Sequence, residues 1–183
     1  MYYVIFMDTI STHTIEKQWQ VYCIRNAIPE DANQIDEVHI ASMRDWYQWI
    51  VEQSYLDSLQ SKQEIIDRLK ETIISNNDVL LVYEENWKII WFIHWGKSRD
   101  QNTQYDSEIY AFYVNPSCQK KWVGTKLFAD FFEKSWNIST YLRTLPWSKG
   151  ESFYKKMWWI IDWEKEANIG GKIYKEIRYC RKR

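Results

Sequence analysis

Apolar and polar positions along the chain change period several times, and each change marks an element. Val21 to Arg25 reads as a short strand. Pro29-Glu30-Asp31 then starts a helix well, because proline suits the first helical turn and acidic side chains suit the positive helix end. Ala32, Ile35, Val38 and Ser42 recur at helical spacing and define one face. Ser61-Lys62-Gln63-Glu64 reads as a capping box, continued by Ile65, Ile66, Leu69 and Ile73 as a second helix. Asn76-Asn77-Asp78 breaks it. Two apolar runs, Val79 to Tyr83 and Ile89 to His94, flank the turn-like Glu84-Glu85-Asn86 and predict a hairpin of buried strands. After the polar loop Arg99 to Asp106, a β-rich run from Glu108 to Val114 stops at Asn115-Pro116. Val123, Leu127, Phe128, Phe131 and Phe132 predict a helix directly afterwards. A strand from Ser139 to Leu145, a helix from Gly150 to Met157, and strands around Ile160 to Trp163 and Ile173 to Tyr179 complete the series. Strands interleaved with helices predict an α/β (α+β) fold: a mixed, mostly antiparallel sheet flanked by helices.

At 183 residues the chain can bury a core without disulfide staples, and one soluble domain is expected over 21–183. Residues 1–20 read as an N-terminal extension, loose or forming an extra edge strand; Met1 to Met7 is apolar but has no basic flank or small-residue cleavage site. With 45% hydrophobic and 27% charged residues the chain is neither disordered nor membrane-like, and no run nears the roughly 18 apolar residues of a spanning helix. A formal charge of -1 offers no global field for nucleic acid or anionic lipid, and no basic stripe with interleaved aromatics is present, so neither is expected as a partner. Cys23, Cys118 and Cys180 are odd in number and far apart, which suggests reduced cytoplasmic thiols. His13, His39 and His94 lack ligand spacing, and no metal is expected.

The most informative stretch is Glu108-Ile-Tyr-Ala-Phe-Tyr-Val114-Asn-Pro-Ser-Cys-Gln119-Lys-Lys-Trp-Val-Gly124-Thr125. A turn at a strand's end runs into a helix N-terminus, where unpaired N–H groups and the helix dipole favour an anion such as pyrophosphate. An ordinary strand-to-helix turn is the plainer reading. With its neighbours included, the stretch resembles motif A of the GNAT-type N-acetyltransferase superfamily, V-x-P-x-x-Q-x-x-G-x-G or A, matched by Val114, Pro116, Gln119 and Gly124. Arg25-Asn-Ala-Ile-Pro-Glu-Asp-Ala32 resembles the family's opening strand and helix, and Phe153-Tyr154-Lys-Lys-Met157 resembles its F-Y-x-K-x-G motif B. The resemblance spans roughly residues 21 to 181.

The resemblance implies an acetyl-CoA-dependent N-acetyltransferase in which the cosubstrate lies where two strands, near 107 to 114 and 139 to 145, splay apart. Main-chain groups of Phe112, Tyr113 and Val114 would hold the pantetheine arm. Amides of Gln119, Lys120, Lys121, Trp122, Val123, Gly124 and Thr125 would hold the pyrophosphate, with the two lysines attracting phosphate. An amine on a small molecule or peptide would attack the thioester directly, which calls for a base, oxyanion donors and an acid for the departing thiolate. Glu108 is the base candidate because on a strand it shares a face with Tyr110, Phe112 and Val114; an exposed strand-end carboxylate is the alternative. Tyr154 stands at the motif B tyrosine and is the acid candidate, against a packing role. The family's Asn seven residues before it is absent, since position 147 is Trp. His39 to Ile50 resembles the acceptor-side helical region, although aromatics there also suit a core. A homodimer is compatible with the sequence, and a noncatalytic acyl-CoA-binding or sensory module on the same fold is the other reading.

One anomaly cuts across these motifs. Average composition predicts roughly 13 glycines for this length, whereas the chain has 5, alongside 12 tryptophans. Trp122 stands at the first Gly of motif A and Trp158 at the Gly of motif B; Trp49, Trp87, Trp91, Trp95, Trp159 and Trp163 also fall where related sequences carry Gly. Trp136 and Trp147 are further cases. Restoring glycine at those eight positions would bring the total to the roughly 13 expected. The expectation is that a codon read here as Trp, a reassigned stop codon, is decoded as Gly in the source organism; a real Trp-rich variant is the alternative.

Overall fold

The computed structural model describes residues 22–100, 103–119, 128, 131, 138–157 and 159–181. Strand β1 (Tyr22–Asn26) leads through a 3-10 turn at Pro29–Asp31 into helix α1 (Ala32–Trp46). Arg25 fixes that entry: its guanidinium donates to Asp31 at 2.6 Å and to Glu84 at 2.6 Å, joining the turn to the neighbouring strand. Ala32, Ile35, Val38 and Ser42 are buried, as their helical spacing predicts.

A short helix α2 (Gln53–Ser58) was not evident in the periodicity, because six residues give too few turns to show a face. Helix α3 (Gln63–Ser75) follows where expected, but its N-cap is Lys62 in extended backbone and no side-chain cap forms, so the Ser61 capping box is not made. The helix ends at Asn76, whose φ of 51° is the left-handed cap conformation that asparagine tolerates.

The hairpin β2 (Val79–Glu85) and β3 (Lys88–Lys97), then β4 (Ser107–Val114), β5 (Thr140–Thr144), α4 (Lys149–Lys156), β6 (Ile160–Ile169) and β7 (Lys172–Arg181) complete the described elements. The seven strands form one sheet in the order β1-β2-β3-β4-β5-β7-β6. Every neighbouring pair is antiparallel except β4 with β5. Leu80, Val82, Ile89 and Phe92 pack with Ile35 and Val38 of α1 and with Leu69 and Ile73 of α3. A second core joins Tyr83, Ile93, Ile109, Phe112, Leu142 and Tyr179 to Tyr154 of α4 and to Phe128 and Phe131. Those two phenylalanines are helical and buried, as predicted; the other positions of the predicted helix, Val123, Leu127 and Phe132, lie outside the described residues, as does the extension 1–20.

Candidate functional site

β4 and β5 pair in parallel only at Ser107–Thr140, Glu108–Tyr141 and Ile109–Leu142. β4 runs on to Val114 and β5 to Thr144 without further pairing between them, so the strands diverge towards their C-terminal ends as expected. Among the described residues, the β5-facing edge of β4 from Tyr110 to Val114 thus carries main-chain groups with no partner strand on that side.

Two adjoining spaces occupy the divergence. The inner one, about 20 Å³, is bounded by Ala111, Phe112, Leu142, Thr144, Trp46 and Tyr154. The outer cleft, about 240 Å³, is lined by His39 and Met43 of α1 and Tyr47 at its C-cap, by Arg99, Glu108 and Tyr110, and by Arg143 and Glu176 across the sheet. The helical segment His39 to Ile50 therefore supplies cleft walls. Its Tyr47 hydroxyl lies 3.3 Å from Thr144 Oγ1, whose own neighbour is Ser148 Oγ at 3.0 Å.

Glu108 is 1% exposed, so the exposed strand-end alternative does not hold. Its Oε2 accepts from the Arg99 main-chain N–H at 3.1 Å, from Arg99 Nε at 3.0 Å and from the Tyr141 hydroxyl at 2.9 Å. Its Oε1 accepts from Arg99 Nη2 at 2.5 Å and Arg143 Nη1 at 3.4 Å. Burial alone would raise this carboxyl's pKa; the hydrogen bonds from Arg99 and Tyr141 and the Arg99 charge outweigh it and hold the group below its ordinary value. Arg99 itself is mostly in solvent, its side chain 60% exposed. Arg143, by contrast, is held by Asp100 and stacked near the Tyr141 ring.

Tyr154 is 3% exposed and borders the inner space. Burial, then the nearby Tyr47 and Tyr179, push its phenol far above the usual value, so it stays protonated at neutral pH. Phe112 and Val114 are buried in the core beside it, and Tyr113 packs against His39 and Trp46. Gln119 turns its amide to Asp45 Oδ2 at 3.2 Å and Val114 O at 3.4 Å. Lys120, Lys121, Trp122, Val123, Gly124 and Thr125 lie outside the described residues.

Arg99, Arg143 and Glu176 were not singled out from sequence. Arg143 within Tyr-Leu-Arg-Thr-Leu and Glu176 within Tyr-Lys-Glu-Ile are charges inside predicted strands, a signal that would have found them. Glu176 Oε2 and Arg143 Nε are buried atoms without a hydrogen bond, 3.8 Å apart on the cleft wall; Lys165 Nζ stands 3.3 Å from the same carboxylate oxygen. Among the described residues no cluster of three or more His, Cys, Asp or Glu is arranged to hold a metal ion, and no helix is long and apolar enough to cross a membrane.

No protein-family model matches the chain. An uncharacterized N-acetyltransferase of Bacillus subtilis strain 168, YuaI, is 32% identical over 106 residues, and this match spans 58% of the chain and 60% of that relative's length. Among solved structures, the PaiA N-acetyltransferase of Thermoplasma acidophilum in complex with coenzyme A superposes with a TM-score of 0.63 at 22% identity, over 85% of this chain and 97% of that one. An N-acetyltransferase from Staphylococcus aureus Mu50 gives a TM-score of 0.66 at 18% identity, over 87% of this chain and 97% of that one. The resemblance to the GNAT superfamily read from the motifs is thereby borne out, and the fold is that of its acetyltransferases.

Proposed function

We propose that this chain, which has the GNAT fold, is an acetyl-CoA-dependent N-acetyltransferase that moves an acetyl group to a primary amine by direct attack in a ternary complex. The observation that carries this reading is the parting of β4 from β5 beyond Ile109–Leu142. An extended ligand with amide groups pairs with an unpartnered strand edge much as another strand would. Phe112, Tyr113 and Val114 offer that edge to a pantetheine arm, and Gln119 opens the segment, continuing through Thr125, that would hold the phosphates. When bound, the cosubstrate supplies an acyl group activated as a thioester.

The chain's own residues divide the remaining work. Tyr154, protonated and bordering the divergence, is the donor for the departing thiolate. Glu108 lines the outer cleft as the base, and the solvent-exposed Arg99 is the donor an arriving ammonium displaces from it. Glu176, on the same cleft wall and ion-paired with Lys165 at 3.3 Å, places a second carboxylate near the incoming cation. The acceptor is an amine-bearing small molecule or peptide.

Calorimetry with acetyl-CoA, followed by thiol release with a panel of amines, tests the reading. Saturable binding with amine-dependent thiol release is expected. Binding with no turnover on any amine would favour the noncatalytic acyl-CoA-binding module, and no binding would defeat both.

A further inference from the structure

Among the described residues, five non-glycine positions have φ in the left-handed region: Asn76, Asn86, Trp49, Trp87 and Trp147. Asparagine visits that region readily, but a bulky side chain there is an outlier. The three tryptophans are also 91%, 85% and 82% exposed, so no packing energy holds their indoles in place.

Each of the three stands where a different turn calls for glycine. Asn86-Trp87, at φ 50° and 65°, is a two-residue connection between Glu85 and Lys88, which pair across the hairpin. Such a loop has two positive φ angles in succession, the conformation that Asn-Gly supplies. Leu145-Pro146-Trp147-Ser148 closes with Ser148 N–H donating to Leu145 O at 3.4 Å, and Trp147 has φ 62°. Proline followed by a positive φ is the type II turn, whose third residue is normally glycine. Trp49, at φ 74°, reverses the chain just past α1, where Ile50 and Val51 both donate to Tyr47 O at 3.0 Å. Left-handed residues after helix ends are again mostly glycine. The one hairpin turn here that obeys these rules is Gly170-Gly171, at φ 60° and 85°.

A separate observation extends the pattern to β3. The indole N–H groups of Trp91 and Trp95 are buried without a hydrogen-bond partner, whereas a buried indole normally finds one. Trp91 and Trp95 do meet core rings edge-on, Phe112 and Phe131 respectively, so what sets them apart from the buried Trp46 and Trp159 is the unpartnered indole N–H. Trp46 ends α1, is buried, and meets Tyr113 edge-on; Trp159 is 4% exposed and packs between Phe128 and Tyr154. These two occupy aromatic core positions and leave no buried indole N–H unpartnered, which removes Trp159 from the glycine positions expected from sequence. Trp122 and Trp158 lie outside the described residues.

We infer that the residues written Trp49, Trp87 and Trp147, and with them Trp91 and Trp95, are glycines in the protein as its source cell makes it, while Trp46 and Trp159 are true tryptophans. The inference concerns the translated residue and is independent of the acetyl-transfer reading.

Tryptic mapping by mass spectrometry of the protein purified from its source cells decides it. Peptides Glu71–Lys88 and Thr144–Lys149 are expected to be lighter than written by one indolylmethyl substituent each, and Ile89–Lys97 by two. Asp45–Lys62 should also lose one, with fragmentation placing the loss at 49 and leaving Trp46 intact. The coding sequence should use one codon at 49, 87, 91, 95 and 147 and a different one at 46 and 159. Tryptophan mass at 49, 87 or 147, or glycine at 46, would overturn the inference. Independently, the W49G/W87G/W147G variant made from a synthetic gene should melt about 5 °C or more above the written chain, since each relieved φ is worth one to several degrees at this size. An unchanged or lower midpoint would count against it.

Discussion

Between β6 and β7 the antiparallel ladder runs from Ile160–Cys180 to Ile169–Lys172, whereas between β4 and β5 it stops after Ile109–Leu142 with both strands still extended. The two seams lie in one sheet, with β7 next to β5. At the paired end of the open seam, side-chain chemistry adds to the short ladder: Ser107 and Thr140 hydroxyls 2.7 Å apart, and the buried Glu108 contacted by Tyr141, Arg99 and Arg143. In the closed seam the Lys175–Glu164 pair sits in solvent, its side chains 54% and 60% exposed, while the Arg178–Asp162 pair beside it is largely buried, at 12% and 16%. A sheet that gives up backbone pairing leaves polar groups to be satisfied by something else, and there a ligand can be accommodated. Removing a carboxylate from each seam in turn measures how far that contrast extends.

The largest effect is expected at Glu108. Glu108→Gln should lower turnover by about 10²-fold or more, within the range for a positioned acid or base, and leave acetyl-CoA affinity nearly unchanged. It should also destabilise the fold by about 2 kcal/mol, the scale of a hydrogen bond to a charged group. Because the native pKa lies below the unfolded one, the ionised group stabilises the protein above its unfolded pKa, and that contribution is lost as pH falls through the native value. Thermal midpoints measured from neutral pH into acid should therefore fall more steeply for the wild type than for Glu108→Gln. Parallel curves would mean that Glu108 is not held ionised by Arg99 and Tyr141.

Tyr154→Phe should slow the chemical step about tenfold or more while altering the fold little, since the ring's packing is kept and only the hydroxyl is removed. Wild-type single-turnover rates would return Tyr154 to a packing role. These two residues were legible in sequence because strand period and motif spacing place them, and the same signals gave β4, β5 and α4 nearly to their ends. Arg143 and Glu176 stand out in sequence only as charges inside predicted strands, and their convergence with Arg99 was not legible, because it depends on which strands become neighbours: β7 returning beside β5 brings Glu176 to a cleft whose other wall is α1. Periodicity within a segment holds no record of that. The uncapped α3 start shows the opposite failure, a local signal satisfied in sequence and unused in the fold.

In the closed seam, Gly171 turns β6 into β7 at φ 85°, with nothing within 4 Å of where a Cβ would stand. Gly171→Ala should cost about 1 kcal/mol, all of it backbone conformation rather than clash, and leave turnover unchanged. A fall in turnover at a temperature where the variant is fully folded would show that the hairpin turn influences the cleft, contrary to the separation of the two seams.

The smallest effect is expected at Glu164, and it sharpens the contrast most because the substitution repeats the chemistry of Glu108→Gln. Glu164 Oε2 lies 2.5 Å from Lys175 Nζ, as short as the Glu108–Arg99 contact, yet both partners are more than half exposed. In water the attraction between such groups is screened, and ordering two long side chains offsets much of what remains, so cross-strand ion pairs of this kind contribute about 0–1 kcal/mol. Glu164→Gln should accordingly shift stability by about 0.5 kcal/mol or less, with that shift vanishing in high salt, and should not change turnover. Equal contact lengths with unequal consequences would establish burial, rather than the ion pair itself, as what gives the Glu108 carboxylate its effect. If Glu164→Gln instead cost as much as Glu108→Gln, the contrast between the open and closed seams would have no energetic content.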